Sequence, residues 1–174
     1  MTNSILLYEG ASPCGHHDII VVASGVKNAS TNDKTGDMIQ IYILLKDMHP
    51  LDAIKTGAVK SICGNCPLIF DECYVNEAFG PSMIWKTYKK GKLPKVTKEQ
   101  ALTLFKSRGA PLRWGAYGDP AMYDYEIVKA ITDAHGVGHT SYTHQWAEPW
   151  FDARHLEYSM ASVDYENTVE KLKA

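Results

Sequence analysis

TKEQALTLFKSRGAPLRWGAYGDPAMYDYEIVKAITDAHG, residues 97–136, is the stretch that decides the fold. Thr97 followed by Gln100 is a capping-box pair, Ala101, Leu102, Leu104 and Phe105 form an apolar set behind it, and Gly109 stands where a helix stops. LRWGAY (112–117) then reads as a strand. Asp119 and Pro120 read as the N-cap and first-turn proline of a second helix, running through Tyr123, Ile127, Val128 and Ile131 to Gly136.

Downstream, residues 139–145 (HTSYTHQ) and 156–163 (LEYSMASV) read as strands with a short helical piece near 149–154 between them. Asp164 then caps a final helix over 165–174. The order α-β-α-β-α-β-α at this spacing argues for parallel strands joined by crossover helices. Because no strand follows the last helix, the expectation is an α/β fold with a partial, half-barrel-like parallel β/α sheet carrying a cysteine-bearing loop, the alternative being a chain shorter than its relatives. Upstream, DIIVVAS (18–24) and MIQIYILL (38–45) are short, apolar and β-branched, as buried strands are. Residues 51–60 have a weak helical spacing broken at Gly57, and residues 81–88 suggest a short helix stopped at Gly91.

The 174 residues suit a single α/β domain, 1–174. With 45% apolar and 22% charged residues, the chain resembles neither a disordered protein, a collagen nor a coiled coil. A net charge of −2 excludes a molecule attracted as a whole to nucleic acid or anionic membrane. The longest apolar runs fall far short of the ~20 residues that span a bilayer, and MTNSILLYEG lacks a basic region ahead of an apolar one, so the expectation is a cytoplasmic protein with no membrane partner. In that compartment four cysteines favour metal or redox chemistry over disulfides.

Cys63, Cys66 and Cys73 stand as C-x2-C-x6-C, with Gly64 permitting a reversal of the chain and Pro67 directing its exit. Three thiolates so close suit an iron–sulfur cluster or Zn²⁺, the alternative being reduced, unligated thiols. A closed zinc site needs a fourth ligand, for which Cys14, His16 and His17 are the candidates; a [4Fe–4S] cluster on three cysteines leaves one iron open.

Ligands of parallel α/β folds gather at the carboxyl ends of strands. Three polar sets fall at such ends: Tyr117-Gly118-Asp119-Pro120, Tyr142-Thr143-His144-Gln145-Trp146 and Ser162-Val163-Asp164. Asp119 and Asp164 also read as plain helix caps, and His144 as a structural hydrogen-bonding group.

This order of motifs resembles the radical S-adenosylmethionine barrel. The resemblance implies a [4Fe–4S] cluster on Cys63, Cys66 and Cys73, S-adenosylmethionine near Gly118, Asp119 and Pro120, and His144 and Asp164 facing the substrate cavity as catalytic residues. The usual cysteine spacing of that family is C-x3-C-x2-C. From Ile19 onward, KTGDMIQ, CGNCP, CYVN, GAYGDP, YTHQW and MASVD together resemble a family of small phage-encoded and plasmid-borne proteins, which implies a host cytoplasm and a lineage rather than an activity.

Six lysines lie between Lys86 and Lys98 inclusive, beside Trp85 and Tyr88; they form either a nucleic-acid grip or a solvated loop. Two functions follow. One is an iron–sulfur protein with redox or radical chemistry on a small-molecule or nucleotide substrate. The other is a non-enzymatic protein, stapled by zinc, that binds nucleic acid or a host protein.

Overall fold

A computed structural model describes residues 2–13, 15–29, 35–70 and 72–163. Its first half comprises β1 (Ser4–Ala11), β2 (Asp18–Ser24), β3 (Ile39–Leu45), α1 (Pro50–Thr56), α2 (Lys60–Cys63) and α3 (Gly80–Lys89). There follow α4 (Lys98–Arg108), β4 (Leu112–Tyr117), α5 (Tyr125–His135), β5 (His139–Thr140), β6 (Tyr142–Thr143) and β7 (Met160–Ala161). Five strands form one sheet in the order β1-β2-β3-β4-β5, while β6 and β7 form a parallel pair of their own.

The fold is α/β with a sheet that is only partly parallel. β1, β2 and β3 run antiparallel, and β4 and β5 continue the sheet in parallel from β3. No closed barrel forms among the described residues. β2 and β3 are buried along nearly their whole length, as the uninterrupted apolar runs of central strands require. α4 packs on α5 and on β1, whereas α1, α2 and α3 pack on β3.

Local signals place several elements closely. Thr97 Oγ1 accepts from the Gln100 N–H at 3.3 Å and Gln100 Oε1 from the Thr97 N–H at 2.9 Å, so the capping box is complete, and Gly109 ends α4 in the left-handed region. β2 and β4 have the boundaries read from sequence, and Gly57 separates α1 from α2.

Other elements differ. The helix expected from Asp119 begins at Tyr125. The Asp119 side chain caps only the 3-10 turn Pro120–Met122, the backbone returns to extended at Tyr123, and Asp124 caps α5 by accepting the Glu126 N–H at 2.8 Å. The strand expected over 139–145 divides at Ser141 between the two sheets. Of residues 156–163 only Met160–Ala161 is strand. Leu156 lies in the 3-10 turn Ala153–Glu157, which also replaces the helical piece near 149–154. β1 had no sequence signal recognised for it. Asp164 and the helix expected over 165–174 lie outside the described residues, as does Cys14.

β4 carries the irregularity that shapes the site. Gln40 pairs with Arg113 and Tyr42 with Tyr117, so two steps along β3 correspond to four along β4. The excess is absorbed at Gly115, at φ +69°, where a Cβ would stand 2.9 Å from the Gly118 carbonyl and 3.0 Å from the Pro120 ring.

Candidate functional site: a cysteine-lined cavity at the strand ends

A cavity of about 390 Å³ opens where β4 and β6 end. Its volume lies in the range of small-molecule sites. Cys63, Cys66 and Cys73 line it together with Gly118, Asp119 and His144, which brings six residues singled out from the sequence to one place. Pro120 is buried in its 3-10 turn and does not line the cavity. His16 and His17, exposed in the turn between β1 and β2, are not among its lining residues.

The cysteine segment is held by buried polar contacts. α2 ends at Cys63, and its Ile62 carbonyl accepts the Asp119 N–H at 2.7 Å. Gln145, fully buried, donates from Nε2 to the Cys63 carbonyl at 2.8 Å and to Asp119 Oδ2 at 3.2 Å, and its Oε1 accepts the Asn65 N–H at 3.0 Å. Gly64 lies at φ +56°, and a Cβ there would collide with the Gln145 amide. Gly118 admits the end of β4 against β3: at φ +81°, its Cβ would come within 2.8 Å of Ile43 Cβ and of the Ile43 carbonyl.

Asp119 is the hub of this network. Its Oδ1 accepts the Ala121 N–H at 2.9 Å, and its Oδ2 accepts the His144 N–H at 2.9 Å besides Gln145. Burial raises its pKa, and the donated hydrogen bonds, including one from Thr143, oppose that rise without cancelling it. Both oxygens are committed to holding the β4 and β6 ends and the cysteine segment together.

The thiols share an electrostatic environment. Burial pushes the Cys63 thiol well up, and the nearby Asp119, Cys66 and Cys73 add to the rise. Cys73 is also raised by burial. A negative charge on Cys63 or Cys73 is therefore disfavoured unless a cation accompanies it. Among the described residues, no group of three or more His, Cys, Asp and Glu stands as a set able to hold a metal ion.

Sequence reasoning passed over two features of the cavity. Arg113 lines it from β4, two residues before Gly115, and alternation along LRWGAY was the available signal. Gln145 was visible only as a polar residue near a strand end; its clamp on Gly64 and Asn65 spans 80 residues of chain and has no local signature.

The lysine segment lies elsewhere. Lys89 pairs with Asp47 at 3.2 Å and sits 5.5 Å from the Trp85 ring, while Lys90, Lys92, Lys95 and Lys98 are exposed. Leu6 N–H donates to the Pro94 carbonyl at 2.9 Å and Val96 N–H to the Leu6 carbonyl at 3.2 Å, so this basic strip covers part of the outer edge of β1. Charge on an edge strand discourages pairing with other chains. No helix among the described residues is long and apolar enough to cross a membrane.

Compared with known proteins, the chain matches no family model, no curated protein and no solved structure.

Proposed function

We propose that this is an iron–sulfur protein built on a partial, radical-S-adenosylmethionine-like β/α half-barrel. Cys63, Cys66 and Cys73 hold a [4Fe–4S] cluster beside the ends of β4 and β6. The observation that carries the reading is that the three cysteines of one segment, the Gly118-Asp119 turn and His144 all line a single cavity. The residue types suit such a cluster although the thiols do not stand as a metal-holding set among the described residues: drawn together, three soft thiols, with both oxygens of Asp119 already occupied, would leave one iron without a protein ligand.

The cluster would supply one-electron reduction of a ligand at its open iron. The chain's own residues position that ligand. Asp119 and Gln145 fix the cysteine segment to the strand ends, and Gly118 lets backbone approach closely where a side chain would intrude. S-adenosylmethionine is the cofactor this reading adds, bound near Gly118 and Asp119, with Pro120 holding the turn. His144 faces a small-molecule or nucleotide substrate; Asp164, the other catalytic residue of this reading, lies outside the described residues.

The test is elemental analysis of protein purified without oxygen. The expected result is a brown protein with about four irons and matching sulfide per chain, and a colourless Cys63→Ala/Cys66→Ala/Cys73→Ala variant. Colourless native protein with stoichiometric zinc would overturn the reading in favour of a zinc-stapled binding protein, whose exposed Lys90, Lys92, Lys95 and Lys98 then become the candidate contact to nucleic acid.

A further inference from the structure

Of the three arginines, Arg108 pairs with Asp37, and Arg154 with Asp152 and Glu126. Arg113 has no carboxylate partner among the described residues, although it is half-buried and lines the cysteine cavity. Its guanidinium is nevertheless held in place. One Nη donates to Gln40 Oε1 at 3.1 Å, the other to the Tyr74 hydroxyl at 2.8 Å, and the group sits 5.6 Å from the Tyr74 ring centre. A guanidinium has five N–H donors, so several remain for a ligand.

Two further observations point into the same cavity. The Tyr117 hydroxyl is buried, in a residue only 3% exposed, and has no hydrogen-bond partner among the described residues. A buried hydroxyl in this state costs free energy that a ligand acceptor would recover. Tyr74 and Tyr142, also lining the cavity, are 71% and 55% exposed. Aromatic rings left in water beside an oriented cation form a stacking surface for a flat ring.

We infer that this cavity binds a planar ring compound bearing an anionic group, with Arg113 taking the anion, Tyr74 and Tyr142 flanking the ring and Tyr117 donating to a polar atom of the ligand. Nucleoside monophosphates and aromatic carboxylates share this chemistry. As the substrate class of the proposed iron–sulfur centre the inference rests on that reading, but the binding itself needs only the residues named.

Calorimetric titration with the four nucleoside 5′-monophosphates, the corresponding nucleosides, ribose 5-phosphate and 4-hydroxybenzoate tests it, with iron measured in the same preparation. Saturable binding of a monophosphate or of 4-hydroxybenzoate is expected, and the better of the two identifies the source of the ring. Arg113→Gln should weaken it about tenfold or more, to the level of the uncharged nucleoside in the case of a nucleotide. Tyr142→Ala, at an exposed position, should weaken it severalfold without loss of folding. Tyr117→Phe should weaken it while leaving the unfolding midpoint unchanged or higher, since the hydroxyl it removes has no partner to lose. Absence of binding by every ring compound, or Arg113→Gln and Tyr142→Ala both binding as tightly as the native protein, would overturn the inference even in a preparation full of iron. Arg113-dependent binding in iron-free protein would support it while removing the cluster.

Discussion

Asp119 and Gln145 show how single side chains position the cavity. The Gln145 amide bonds Asn65, Cys63 and Asp119 at once, so Gln145→Ala should cost about 1–3 kcal/mol in chemical denaturation and loosen the cysteine segment. Because both Asp119 oxygens accept N–H donors, Asp119→Asn turns an amide NH2 against a donor in either orientation, and a loss of about 1–3 kcal/mol is expected at pH 7. The pH dependence has a definite sign. Burial raises the folded-state pKa of Asp119 above its ordinary 3.8, so the folded state binds the proton more tightly than the unfolded chain does. The resulting stabilisation is complete below 3.8 and is lost as pH rises through the folded value. The stability margin of the native protein over Asp119→Asn should therefore widen as pH falls through that window; a margin that narrows there would show the carboxylate to be favoured. At Cys63, burial predicts slow alkylation in folded, metal-free protein at pH 8 compared with unfolded chain.

Among the elements, those with local chemical signals were legible before any contact was known. Thr97, Gln100 and Gly109 bracket α4, and Gly136 ends α5 at φ +69°, because caps satisfy backbone groups within a few residues. Thr97→Ala should cost about 1 kcal/mol by thermal or chemical unfolding. At the end of β4 the penalty comes from tertiary contact: Gly118→Ala drives a Cβ against Ile43 of β3 and strains a left-handed backbone, so it should destabilise by more than the capping variant. Asp119-Pro120 looked like a helix start because the dipeptide has the right local form. The chain resumes extended backbone at Tyr123, and a second cap at Asp124 takes over. The break at Ser141 was invisible for a related reason. Its hydroxyl pairs with that of Ser159 at 2.6 Å, and its carbonyl accepts the Met160 N–H at 2.9 Å, ties to a segment 18 residues away.

Across the whole molecule, the antiparallel strands and the strand ends that line the cysteine cavity are distinct parts of the structure. β1, β2 and β3 build an apolar wall, and the ends of β4 and β6 receive the cysteine segment. If the cluster binds there, it binds the folded chain more tightly than the unfolded one, so iron-loaded protein should unfold at a higher midpoint than protein stripped anaerobically by chelator. Equal midpoints would place the iron outside the fold.

By itself the sequence determined the apolar strands β2, β3 and β4, the helix α4 with both its ends, and the clustering of three thiols within eleven residues, since each depends on backbone preference or spacing over a few neighbours. Only the tertiary structure decided that β1 pairs antiparallel with β2, that residues 139–145 divide between two sheets, and that Arg113 and Tyr117 share a cavity with the cysteines. Those outcomes depend on contacts between residues far apart in the chain, whose free energy is settled by which surfaces can be buried together and not by any local pattern.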